Sequence, residues 1–191
     1  MPPTLYIATS RFNNQTWKEN SDFRSKHNLQ GCVYGAPLQI TAKIPLNSPV
    51  FIVEMNNSIN KIEGIGLIKN YIQVDKYYSV YQTGNYNRYI YKSNYRIDRA
   101  TLENYNPNIV KLFDHILFKE KTHLKRGSGI ITIPEKLLKH KLCVGVGIDF
   151  KNELRDIFRR YFDLDHDHEI NNDANMNASL KTELKTEEPA L

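Results

Sequence analysis

Val50-Phe51-Ile52-Val53-Glu54-Met55 is the clearest buried strand in this chain, and the residues after it set much of what the chain can become. Asn56-Asn57-Ser58-Ile59-Asn60 supplies a polar reversal. Lys61-Ile62-Glu63-Gly64-Ile65-Gly66-Leu67-Ile68-Lys69 then returns as a second strand, giving the best hairpin in the sequence. Gly64 and Gly66 are two apart and therefore share one face of that strand, where missing side chains allow bending or a close neighbour. Kinks of this kind help a sheet curl toward a barrel.

Around the hairpin the pattern alternates between strands and helices. Residues 5–8 read as a first strand, and residues 17–27 as a short helix, with Thr16 and Glu19 spaced for a capping box. Gly31 and Gly35 bracket an expected turn. Residues 88–91 and 95–99 read as two further strands. Pro107 opens a helix to Phe118 with Val110, Phe113, Ile116 and Leu117 at helical spacing. Residues 119–129 form a basic loop closing on two glycines, residues 130–133 a strand, Pro134 the start of a short helix, and residues 150–162 a last amphipathic helix. Beyond it charge dominates, so residues 163–191 are expected to be a disordered acidic tail.

A length of 191 residues suits one domain, here residues 1–162, plus that tail. No run approaches the roughly 18–20 apolar residues of a membrane span, and no basic-then-apolar leader opens the chain. An intracellular address is the expectation. Cys32 and Cys143 are too few for a disulfide framework and lack zinc-ligand spacing.

The formal charge of +5 conceals an asymmetry. Residues 163–191 carry eight acids against Lys181 and Lys185, about −6, which leaves residues 1–162 at about +11. A body that basic attracts polyanions by its field alone; solubility would explain the same charge.

Nine of the twelve tyrosines lie within residues 71–105, and Arg88, Lys92, Arg96 and Arg99 recur among them. Tyrosine offers a flat apolar face with a polar tip, and arginine a planar charge that pairs with phosphate or stacks on a base. Single-stranded nucleic acid asks for that mixture. A tyrosine-rich sheet kept soluble by arginines would produce the same text, because strands favour aromatics whatever they do.

The order of elements resembles the PUA-like superfamily, the small β-barrels that include ASCH, EVE and YTH domains. The strand 50–55, the strand Ile62-Glu63-Gly64-Ile65-Gly66-Leu67-Ile68 and the tract Asn87-Arg88-Tyr89-Ile90-Tyr91 with Tyr95-Arg96-Ile97 carry it. The tyrosine- and asparagine-rich texture is also similar to that of uncharacterised proteins of large DNA viruses. The resemblance implies recognition of RNA or of modified bases in a pocket at one end of a barrel. A YTH-type cage uses several tryptophans, whereas this chain has only Trp17; Tyr34, Tyr89 or Tyr91 would have to serve as walls.

The loop Lys121–Gly129 is the best candidate for phosphate contact, since basic side chains and two glycines let backbone N–H groups approach an anion. It lacks the lysine-serine ending of a P-loop. Asp165-His166-Asp167-His168-Glu169 holds metal-capable side chains without the geometry of a closed site. His27, His115, His123 and His140 fall in no recognisable catalytic motif, and paired acids for a metal-dependent nuclease are scarce.

The reading is therefore an α+β protein built on a small curled sheet or pseudo-barrel with flanking helices, without metal, cofactor or catalytic residues, and more plausibly a binder than an enzyme. It is expected to bind RNA or single-stranded DNA, with Arg88, Arg96, Lys125 and Arg126 on phosphate, Tyr89, Tyr91 and Tyr95 stacking on bases, and Lys92 and Lys121 completing the surface. The alternative is a protein-interaction or virion-associated module whose tyrosines meet a partner protein.

Overall fold

A computed structural model describes residues 4–119 and 123–164. In chain order it contains β1 (Tyr6–Phe12), α1 (Asn14–Lys26), β2 (Cys32–Ala36), β3 (Pro49–Asn56), β4 (Lys61–Lys69), a 3-10 turn (Gly84–Asn87), β5 (Tyr89–Ser93), β6 (Tyr95–Asp98), α2 (Arg99–Tyr105), α3 (Pro107–Phe118), β7 (Ile131–Thr132), α4 (Glu135–Leu138), α5 (Lys141–Val146) and α6 (Phe150–Leu164).

The expected hairpin is the centre of the molecule. β3 and β4 pair antiparallel from Pro49↔Lys69 to Asn56↔Lys61, with a register irregularity at Glu54/Met55. β1 lies parallel to β3 on the other side, and the five-stranded order is β6-β4-β3-β1-β7. Both faces of this mixed sheet are covered, which is why every residue of β3 is buried instead of every second one. Phe51, Val53 and Met55 face a core built with α2, α3 and α6. Val50 and Ile52 face a second core, built with α1 and the separate two-stranded ladder β2-β5.

The sheet is open. Among the described residues its edges are β6 and β7, and β2-β5 packs on it as a second layer instead of closing it, so the expected pseudo-barrel does not form. Gly64 and Gly66 admit a close neighbour there. A Cβ at Gly66 would lie 2.3 Å from the Tyr34 hydroxyl and 2.7 Å from Cys32 Sγ.

Local corrections have local causes. Asn13, not Thr16, caps α1: its Oδ1 accepts from Thr16 N at 2.8 Å while Thr16 Oγ1 accepts from Asn13 N at 3.0 Å. The capping box therefore sits one turn earlier than the Thr16/Glu19 spacing suggested. Gly31 and Gly35 are not a turn: Gly31 precedes β2 and Gly35 lies within it; a Cβ would come within 1.9 Å of Ser93 O at Gly31 and 2.1 Å of Tyr86 O at Gly35. Helix α2 begins where a strand was expected to run on, because Asp98 Oδ1 accepts from Thr101 N and caps it. Helix α3 starts and stops as its sequence pattern predicts, with Pro107 in the first turn and Asn106 as cap. The expected tail begins at residue 163, but Asp163 and Leu164 are the last residues of α6; from residue 165 onward it lies outside the described residues. No helix among the described residues is long and apolar enough to cross a membrane.

Candidate functional site

Because β1 and β3 run parallel, their carboxyl ends finish together, with Ser10 beside Glu54 and Phe12 beside Asn56. A cleft of about 330 Å³ opens there, between the first turn of α1, the segment carrying Tyr81 and Tyr86, and the loop with Gly127 and Gly129. Two of the tracts singled out by sequence, far apart along the chain, thus line one concavity.

Arg11 holds the loop in place. Its guanidinium donates to the carbonyls of Leu124 at 3.3 Å, Gly127 at 3.2 Å and Gly129 at 3.0 Å. Gly127 and Gly129 adopt φ of 105° and 73°, the left-handed region where a side chain would be strained, so they let the loop wrap this cation. Burial lowers the Arg11 pKa from its ordinary value. Asn57 Nδ2 adds a bond to Lys125 O at 2.9 Å.

The aromatic wall is fastened from behind. Buried Asn87 accepts from Val80 N and Tyr81 N at 3.0 and 2.9 Å and donates to Tyr81 O at 2.7 Å. Tyr81 Oη accepts from buried Asn20 Nδ2 at 3.0 Å, and its ring meets that of Tyr86 edge-on at 6.3 Å. Sequence reasoning placed Tyr81 and Tyr86 in the tyrosine tract without assigning them a role. Arg11 was missed, since a lone arginine at a strand end has no signal of its own.

The predicted residues divide. Arg88 is exposed and lies over the half-buried Tyr89 ring at 5.4 Å. Tyr89 pairs in register with Ala36, and Ala36 Cβ is also the nearest atom to the Cβ position of Gly129, so this end of the ladder adjoins the loop. Lys125 is half-buried and Arg126 exposed on that loop. Lys92 sits 5.7 Å over the Tyr78 ring. Lys121 lies outside the described residues.

Tyr91 and Tyr95 are corrections. Tyr91 is fully buried with its hydroxyl accepting from Ile40 N at 3.0 Å, and Tyr95 is buried edge-on to Phe162 at 4.8 Å, so neither ring presents a face to a base. Tyr34, the other cage candidate, is likewise fully buried. The alternation of a strand sends successive residues to opposite sides, and the sides that take Tyr91 and Tyr95 are core.

Arg96 is engaged elsewhere. Its Nε and Nη2 donate to the two oxygens of Glu54 at 2.9 and 2.8 Å, and Tyr34 Oη donates to Glu54 Oε1 at 2.8 Å. Glu54 is 1% exposed, so this carboxylate is tolerable only because it is fully hydrogen-bonded. Burial pulls the Arg96 pKa down, but the Glu54 charge outweighs that and leaves it raised. Burial pushes the Tyr34 hydroxyl well above its usual range and the Cys32 thiol up to about 11, which disfavours the thiolate that a nucleophile needs. A charged residue inside the apolar run Val53-Glu54-Met55 was the available signal for this cluster.

Among the described residues no group of three or more His, Cys, Asp or Glu is placed to hold a metal. Comparison of the chain with protein-family models, with curated proteins and with solved structures gives no significant match.

Proposed function

We propose that the protein binds single-stranded nucleic acid, RNA or DNA, with a base entering the cleft against half-buried Tyr86, which buried Tyr81 backs edge-on, and the backbone crossing the Lys125–Arg126 loop and Arg88. The observation that carries this reading is the meeting of that loop with the Tyr81–Tyr89 segment around one concavity. Its volume falls at the lower end of the roughly 300–1,000 Å³ of small-ligand sites, as a single base requires. Arg126 and Arg88 are exposed cations one and two residues along the chain from Gly127 and Tyr86, which line it, and the strongly basic body supplies the long-range field. The PUA-like resemblance points to the same ligand class, though the sheet here is open and the base site belongs to strand ends, not to a barrel.

The test is an anisotropy titration of labelled single-stranded RNA and DNA across salt concentrations. Replacing Arg88, Lys125 and Arg126 with alanine should reduce the log-log salt slope by about 2, at roughly 0.7 per phosphate contact on a single strand. Tyr86→Ala should weaken binding about tenfold, from a stacking energy of ~1–3 kcal/mol. An unchanged slope would remove this surface from the footprint.

The second reading, a protein-partner surface, is favoured by large apolar side chains standing in solvent on the loops at residues 37–48 and 71–80, where Leu46, Val74 and Tyr77 are more than two-thirds exposed. Affinity for oligonucleotides that ignores both salt and Tyr86 would favour it.

A further inference from the structure

We propose that Arg24 and Arg96 form a second binding site, for a phosphate group, at the opposite end of α1 from the cleft. A cavity of about 430 Å³ opens there, walled by both arginines with Asn28, Gln30, Asp98 and Tyr161. Both guanidinium groups rest on the same indole: each Cζ lies 5.6 Å from the centre of the Trp17 ring. Cation–π contact with one ring, together with a shared place in the cavity wall, brings the two planar cations to one site.

The two arginines are fixed differently, and the difference makes the site. Arg96 is neutralised by Glu54 through two hydrogen bonds that fix its plane. Arg24 has no carboxylate partner among the described residues; its Nε donates to Asn20 Oδ1 at 3.0 Å, and Asn20 is itself pinned by Val33 O at 2.7 Å and Tyr81 Oη at 3.0 Å. A neutral amide therefore orients Arg24 without cancelling its charge, leaving both Nη groups for a ligand. Burial, and secondarily the charge of Arg96, lower the Arg24 pKa, a strain that an anion between them would relieve. A tetrahedral oxyanion matches the fork geometry of guanidinium groups.

Asp98 opposes an anion on the cavity wall. One of its oxygens is engaged in capping α2 through Thr101 N at 2.8 Å, and the residue limits affinity without closing the site. The proposal is independent of the nucleic-acid reading, because the two cavities share no lining residue.

Trp17 is the chain's single tryptophan and lies within cation–π reach of both arginines, so its fluorescence responds to a ligand between them; its edge-on neighbour Phe12 lines the cleft, so the arginine variants below assign the response to this site. Titration with inorganic phosphate should give a saturable change that sodium chloride at matched ionic strength does not reproduce. Arg24→Gln, which keeps an amide donor for Asn20, should weaken it about tenfold or more, from the cost of losing a charged hydrogen-bond partner. Arg24→Lys, which keeps the charge but not the fork, should fall between. Asp98→Asn, still a good helix cap, should tighten it, and Lys125→Ala with Arg126→Ala should leave it unchanged. Thymidine 5′-monophosphate and thymidine distinguish the sources: binding of the nucleotide tighter than inorganic phosphate assigns a phosphate ester, and equal binding assigns the free ion. A chloride response equal to that of phosphate, binding of thymidine equal to its monophosphate, or wild-type titrations from both Arg24 variants would overturn the proposal.

Discussion

Glu54 is a carboxylate in the middle of the most buried strand of the protein, held by Arg96 and Tyr34. Removing one member of such a group strands the others, which costs more than the group contributes in net stability. Arg96→Met should therefore destabilise the fold by about 3–5 kcal/mol, read from the urea midpoint at unchanged slope. Glu54→Leu added to Arg96→Met should recover part of that loss, because an apolar pair of similar volume no longer buries a charge. A double variant no more stable than Arg96→Met alone would show that the cluster acts through packing. Neighbouring Tyr91 and Tyr95 were legible as aromatics but not as core, since tyrosine serves equally in an interior with its hydroxyl bonded and on a surface.

At the scale of elements, two positions make the arrangement possible. The β2-β5 ladder reaches the main sheet because Gly66 presents no side chain to Tyr34 and Cys32. Gly66→Ala should cost ~1–3 kcal/mol as overpacking, and Tyr34→Phe, which removes the opposing hydroxyl, should make the Gly66→Ala substitution cheaper in a double-mutant cycle. Additive losses would mean that the close approach is relieved elsewhere. Arg11 does the corresponding work for the loop, since three backbone carbonyls converge on it. Arg11→Ala should free that loop, seen as faster tryptic cleavage after Lys125 or Arg126 with little change in the global unfolding midpoint. Cleavage at the wild-type rate would show that Asn57 and packing hold the loop without it. The glycines at 64 and 66 were readable as a place of close approach; what approaches them was not, because β2 lies some thirty residues earlier.

At the scale of the whole molecule, charge is divided along the chain: residues 1–162 carry about +11 and residues 163–191 about −6. A chain that holds both signs competes with itself for polyanions, over distances set by the Debye length. Deleting residues 165–191, which spares α6, should tighten nonspecific binding to single-stranded nucleic acid, most at low salt. Equal affinity with and without them would leave those residues only a solubilising part.

Sequence alone determined the central hairpin, helix α3 with its opening proline, and the charge asymmetry, because hydrophobic runs, turn residues and helix periodicity are written in neighbouring positions. Only the tertiary structure decided that the sheet stays open, that Tyr91 and Tyr95 turn inward while Arg88 stays exposed, that Tyr81, Tyr86, Gly127 and Gly129 line one cleft, and that Arg24 and Arg96 line one cavity. Those outcomes depend on which strand lies beside which and on which face is covered. They are long-range facts, and a side chain's burial follows from its distant neighbours more than from its own chemistry.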